Sequence, residues 1–201
     1  MRRLKSLFAA LLILPLAACF DAEMALDFTN EDDITMVATM NMSPDLFQMM
    51  SGMGQDPCAD ADGVGTANPD GTYSCTMSHS GTLDEIIEMS NNAAQNGTPF
   101  SQESGTTVER RGDAIFVSFD LARMMEDMPP AEERAQMSMM FGDAFRGKAI
   151  TINVMADTII ETNGTLMDDG KTAQFVIDLA AMFSPNLPDL PDSFDILMAA
   201  Q

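Results

Sequence analysis

Apolar side chains fall on every second position in segment after segment of this chain, and that period constrains the fold more than any other feature. Met24, Leu26 and Phe28 share one parity, and Ile34, Met36, Ala38 and Met40 share another, with the acidic turn Asn30 to Asp33 between them. Successive strand residues point to opposite faces of a sheet, so the two runs read as a hairpin with one buried side. The pattern returns at Ile115, Val117 and Phe119, at Ile150, Ile152 and Val154, and at Phe175, Ile177 and Leu179, opposed by Ser118, Asn153 and Gln174. A sheet that is wet on one face is built from antiparallel strands.

Helical signals interrupt these strands. Ser43-Pro44-Asp45 offers an N-cap, a proline at the first helical position and an early acid ahead of Leu46 to Met53. Thr82 with Glu85 makes a capping box before Leu83, Ile86, Ile87 and Ala94, which fall on one helical face. Pro129-Pro130 precedes Ala131 to Phe145, in which Met137, Met140, Phe141 and Ala144 form the apolar stripe, and Leu121 to Met128 fits a shorter helical turn. The fold class this predicts is α+β, an antiparallel and curved β-sheet with helices packed on one face. With 46% apolar residues the chain can fill a core, and its length suits one domain, expected over 19–183 past a short tether. From Ser184 onward, Pro185, Pro188 and Pro191 recur at intervals of three, so 184–201 reads as an extended strap or a mobile end.

The first nineteen residues, MRRLKSLFAALLILPLAAC, set a basic end (Arg2, Arg3, Lys5) before the apolar run Leu7 to Leu16. That is the layout of a secretory signal, and the run is too short for a permanent transmembrane helix. Its ending, Leu16-Ala17-Ala18-Cys19, resembles the bacterial lipobox, in which small residues admit the signal peptidase and the cysteine thiol receives diacylglycerol. The alternative is an ordinary signal cleaved near Ala18. The resemblance implies a signal peptide over 1–18, lipidation at Cys19, palmitate-type acyl chains as the membrane anchor, and a domain in the bacterial cell envelope, outside the cytoplasm and on the periplasmic side.

Cleavage there removes three basic residues and no acidic ones, so a net charge of -21 becomes -24, with 7 Lys+Arg against 31 Asp+Glu. Nucleic acid is thereby excluded as a partner, because phosphate-backbone binding depends on clustered Lys and Arg. An acidic surface is also repelled by anionic headgroups. With Cys19 committed to lipid, Cys58 and Cys75 remain as an even pair in an oxidising compartment, which predicts a structural disulfide across the Gly-, Asp- and Asn-rich segment 56–72. A redox-active pair would call for close C-x-x-C spacing and a positive neighbourhood, and neither is present.

Near the C-terminus, ITINVMADTIIETNGTLMDDGKTAQFVIDLAAMF (150–183) gives a strand, a break, a strand ending in Glu161-Thr162-Asn163-Gly164, an Asp169-Gly170 turn and a closing strand. This order resembles the end of the LppM-type lipoprotein domain, and the hairpin and Ser-Pro helix start of Met24 to Met53 resemble its opening. The resemblance implies an α+β domain akin to lipid-transfer folds, an envelope role and binding of lipid. Met155-Ala156-Asp157 departs from the Pro-Gly expected at the break, and Phe175 stands where Trp is expected. Asn163-Gly164 and Asp169-Gly170 are further expected to supply positive φ for tight turns.

Candidate chemistry is thin. His79 is the single histidine, but Ser78 and Ser80 beside it fall on the opposite strand face, and no Gly-x-Ser-x-Gly elbow exists. Asp60, Asp62 and Gly63 resemble a calcium loop out of register, with Cys58 at the first ligand position and Pro69 at the twelfth. An irregular calcium site among Asp56, Asp60, Asp62 and Asp70 and a solvated acidic loop are both open readings. The methionines, such as Met49, Met50 and Met53, allow Cu(I) binding, while Met36, Met137 and Met140 sit where the periods want core filler. The function expected is therefore non-enzymatic, with no cofactor and no assigned metal. It is an anchored lipoprotein that binds lipid or another hydrophobic ligand, or else a structural or assembly lipoprotein that binds another envelope protein.

Overall fold

The computed structural model describes residues 20–52, 58, 63–91, 105–126 and 128–201. The chain runs β1 (Phe20–Asp27), β2 (Ile34–Met42), α1 (Pro44–Gly52), β3 (Val64–Ala67), β4 (Tyr73–Gly81), α2 (Leu83–Asn91), β5 (Thr106–Arg111) and β6 (Ala114–Asp120). It continues through α3 (Leu121–Glu126), α4 (Ala131–Phe145), β7 (Ala149–Met155), β8 (Ile159–Thr162), β9 (Thr165–Leu166), β10 (Thr172–Asp178), α5 (Leu179–Met182) and β11 (Ser193–Ala199).

The α+β class and the antiparallel pairing follow the alternation, and the strands divide into two sheets. One runs β3-β4-β2-β1-β7-β10-β9 and the other β5-β6-β11-β8. The expected hairpin is the β1–β2 pair, with Leu26 opposite Met36 and Phe20 opposite Met42. Beside it, β1 and β7 run parallel, with Ala22 opposite Ile150. A parallel neighbour needs a long crossover, and here the whole of β2 to α4 supplies it.

The inner faces of both sheets meet in one buried cluster. Leu26, Phe28, Ile34, Met36, Ile152, Val154, Ala173 and Ile177 come from the first sheet side, and Val108, Ile115, Val117, Phe119, Phe194, Ile196 and Met198 from the second. Phe194 of β11 stacks between Phe175 of β10 at 5.3 Å and Phe119 of β6 at 5.7 Å, so the ring column passes from sheet to sheet. Leu83, Ile86 and Met89 of α2 close onto the same cluster. The outer face of the first sheet is a polar ladder, in which Asn153 donates to Glu23 and Gln174 donates to Asn153, each at 2.9 Å.

Several local expectations are corrected. The tether expected ahead of Met24 is strand instead, because β1 begins at Phe20. The segment 184–201 is not a strap or a mobile end: Ser193–Ala199 is β11, paired on one side with β6 and on the other with β8. Its Phe194, Ile196 and Met198 are fully buried, so the prolines lead into a core strand. Gly170 has the positive φ its turn demands (68°), as do Gly71, Gly105, Gly112 and Gly147, but Gly164 does not belong to that set. Gly164 is there for space, since a Cβ would come within 2.5 Å of the Phe194 ring and 2.7 Å of the Gln174 carbonyl. On α4 the apolar stripe is corrected at Met140, which is exposed, while Met137 is half-buried and the side chains of Phe141 and Ala144 lie outside the described ones; the inward side also carries Arg134, which is buried and donates to the carbonyls of Pro129, Ser184 and Pro185.

Candidate functional site

β1 is the central strand of the seven-stranded sheet, so its first residue, Phe20, marks the chain's entry at the middle of one sheet end. On one side of that entry lies β7. Lys148 Nζ is 2.6 Å from Asp21 Oδ2, and the Ala149 amide donates to the other oxygen of the same carboxylate. Lys148 is itself placed by its amide, which donates to the Phe145 carbonyl at the end of α4, and by its carbonyl, which accepts from Leu179 at the start of α5. Phe145 stacks on Phe183 at 4.5 Å. On the other side, Met42 pairs with Tyr73, whose ring lies 3.8 Å from that of Phe47 in α1. α1, α4 and α5 therefore gather at the end of the sheet where β1 begins.

The disulfide expected from the sequence joins Cys58 to Cys75, with Cα atoms 5.4 Å apart. Both cysteines are buried with Met42 in a second small cluster, against Met40 and Tyr73. The Gly63 backbone rests on the bridge, where a Cβ would meet the sulfurs at 2.9 and 3.1 Å. Thus the bridge pins an otherwise polar loop beside the same end of the sheet.

The other candidates separate. Cys19 lies outside the described residues, as do Met53, Asp56, Asp60, Asp62 and Ala94 and the side chains of Met49 and Met50. Asp70 caps its own turn by accepting from the Thr72 hydroxyl and amide, and these bonds, the hydroxyl first, hold its carboxyl below the ordinary range. His79 sits on β4 opposite Met36 and lines an open cleft of about 320 Å³ with Ser80, Glu85, Glu88 and Met89. Glu85 is engaged in the capping box, and its carboxyl is lowered chiefly by the Thr82 amide, then by the Thr82 hydroxyl. A second cleft of about 230 Å³ on the outer face of the smaller sheet is lined by Arg111, Phe116, Glu161, Thr162, Asn163, Asp195, Ile196 and Leu197. There the Arg111 guanidinium covers the Phe116 ring at 3.5 Å, and Asp195 accepts from Ser118 and Ser193. Both clefts are open and partly polar, unlike the apolar cavity that an enclosed acyl chain requires. Among the described residues, no three His, Cys, Asp or Glu side chains stand together to hold a metal ion, and no helix is long and apolar enough to cross a membrane.

Sequence reasoning missed two features of this region, the exposure of Met139 and Met140 and the inward turn of Arg134. An arginine among helix-stripe positions gives no periodic signal when its partners are backbone carbonyls contributed by a distant segment.

No protein-family model matches the chain, and no curated relative matches it. Among solved structures, the chain is similar to the NMR structure of the folded domain of LppM from Mycobacterium tuberculosis, at 12% identity over 90% of each chain, with a TM-score of 0.49.

Proposed function

We propose that this chain is a bacterial envelope lipoprotein, acylated at Cys19 and held outside the cytoplasm, whose domain works by non-covalent contact at the bilayer surface. The observation that carries the reading is the junction itself: the residue after the lipobox cysteine is already the first residue of a central strand. An acyl anchor at that place holds the folded domain against the membrane with no slack between them, and multiple acylation makes the attachment effectively permanent. Palmitate labelling in a bacterial host tests it: label is expected on the wild-type protein and absent from Cys19→Ser, and equal behaviour of the two sinks the reading.

Two occupations remain for the anchored domain, and the packing favours the second. Binding of lipid or another hydrophobic ligand, which the LppM-type resemblance implies, needs an apolar site, whereas side chains of both sheets interleave in the described core. A structural or assembly role, in which the outer surfaces engage another envelope protein, needs no cavity. Native mass spectrometry of delipidated protein after incubation with envelope lipids separates them. No stoichiometric adduct is expected for the assembly role, and a saturable adduct restores the lipid-binding one.

A further inference from the structure

Met139 and Met140 are 80% and 66% exposed side by side on α4. Two adjacent long apolar side chains in water ask what covers them, and their place in the fold answers. The helix that bears them ends at Phe145, and three residues later Lys148 bonds Asp21, the second residue after Cys19. At about 1.5 Å of rise per residue, Met140 stands only about 8 Å along the helix from Phe145. The pair therefore lies in the last turns of the helix whose end is tied, through Lys148, to the start of β1.

Charge permits contact by the same stretch. Between 137 and 148, Asp143 is set against Arg146 and Lys148, so this half of the helix and the turn after it carry no net negative charge in a mature chain of net -24. The repulsion from anionic headgroups that a chain of this net charge carries is thus weak over this stretch. Along α4 the outward positions of the first half are Glu132, Glu133 and Gln136, and those of the second half include the two methionines.

We infer that the C-terminal half of α4 is a second membrane contact, in which Met139 and Met140 enter the headgroup–acyl boundary of the bilayer that holds the Cys19 lipid and fix the orientation of the domain. The inference rests on acylation of Cys19, because confinement by the anchor makes docking of so small an apolar surface intramolecular. Glu132 and Glu133 hold the first half of the helix in water, so α4 meets the membrane obliquely, C-terminal half first. The far end of the larger sheet, where Met167 bonds Thr172 at the β9–β10 turn, faces away.

The test is methionine oxidation of the full-length acylated protein on vesicles of phosphatidylethanolamine and phosphatidylglycerol, read by peptide mass spectrometry after brief peroxide exposure. Exposure alone makes Met139 and Met140 oxidise faster than Met167, which is 39% exposed. Docking inverts that order, slowing the pair about fivefold or more while Met167 reacts as in solution. Oxidation of the pair as fast as Met167 on acylated, vesicle-bound protein overturns the docking and leaves the anchor standing. Protection without vesicles that grows with protein concentration overturns it in favour of a second copy of the chain. An N-terminal peptide without acyl mass overturns the anchor, and the docking with it.

Discussion

Gly164 shows how a single position ties the two sheets together. It follows β8, which belongs to the smaller sheet, and precedes β9, which belongs to the larger one, and its Cα is hemmed by the Phe194 ring and the Gln174 carbonyl. Gly164→Ala pushes on a buried ring and on fixed backbone together. The expected cost is about 1–3 kcal/mol, read as a fall in urea midpoint with an unchanged slope. Gly170→Ala is a different experiment at a similar-looking turn, because only positive φ is at stake there and open space surrounds the residue. Its cost is about 1–2 kcal/mol. The disulfide belongs to this scale too. Cys58 and Cys75 are 17 residues apart, and replacing both with Ala removes roughly 3 kcal/mol of loop-closure stabilisation. A thermal melt of the double variant against the oxidised protein measures it.

At the scale of elements, α2 is the helix whose start the sequence spells out most fully. The Thr82 amide donates to Glu85 at 2.8 Å, and the Glu85 amide donates to the Thr82 hydroxyl at 3.4 Å. Thr82→Ala is expected to cost about 1 kcal/mol. The Glu85 carboxyl is held low, first by the Thr82 amide bond. Its contribution is therefore complete above the ordinary carboxyl value and fades as pH falls through the lowered folded value. Amide protection at the start of α2, taken relative to the intrinsic exchange rate at each pH, should fall over that acid range in the wild type, and Glu85→Gln should lose this dependence. The same scale shows what the sequence could and could not give. Alternation exposed β1, β2, β6, β7 and β10, because one face of each is apolar at every second residue. It equally marks Phe194, Ile196 and Met198, but three prolines upstream suggested a strap, and nothing local says that such a strand will be taken in between β6 and β8. β5, reading Thr-Thr-Val-Glu-Arg-Arg, has too few apolar positions to declare itself. On α4, helical period assigned Met140 inward. The register was decided instead by Arg134, whose guanidinium finds three backbone carbonyls only after residues 184 and 185 have been folded against it. The company of α1, α4 and α5 around the Phe20 end of the sheet depends on strand order, which no local pattern encodes.

For the molecule as a whole, the C-terminal strand is the piece that closes the fold. β11 lies inside the four-stranded sheet, and its last residue and the two that follow bind three other segments: Ala199 donates to Thr158, Ala200 to Asp113, and the Gln201 amide to Glu31. Burial pulls the Glu31 carboxyl upward, but the Gln201 amide and the Arg110 guanidinium at 2.8 Å outweigh it and leave the group lowered. Removing 184–201 therefore takes away more than a surface. It strips two of the three acceptors that satisfy buried Arg134, leaves β8 without its ladder, and opens the core where Phe194, Ile196 and Met198 sat. Losing one large buried aromatic costs about 3–5 kcal/mol, and a whole domain is stable by only about 5–15 kcal/mol. The truncated chain is thus expected to lose its cooperative transition in circular dichroism and to bind a hydrophobic dye at neutral pH. A sharp, wild-type-like melt of residues 1–183 would show that β11 is dispensable. Partner contacts near this end are better probed by surface substitutions that spare the strand, such as Asp189→Asn, whose side chain is exposed and whose loss leaves every β11 ladder bond in place.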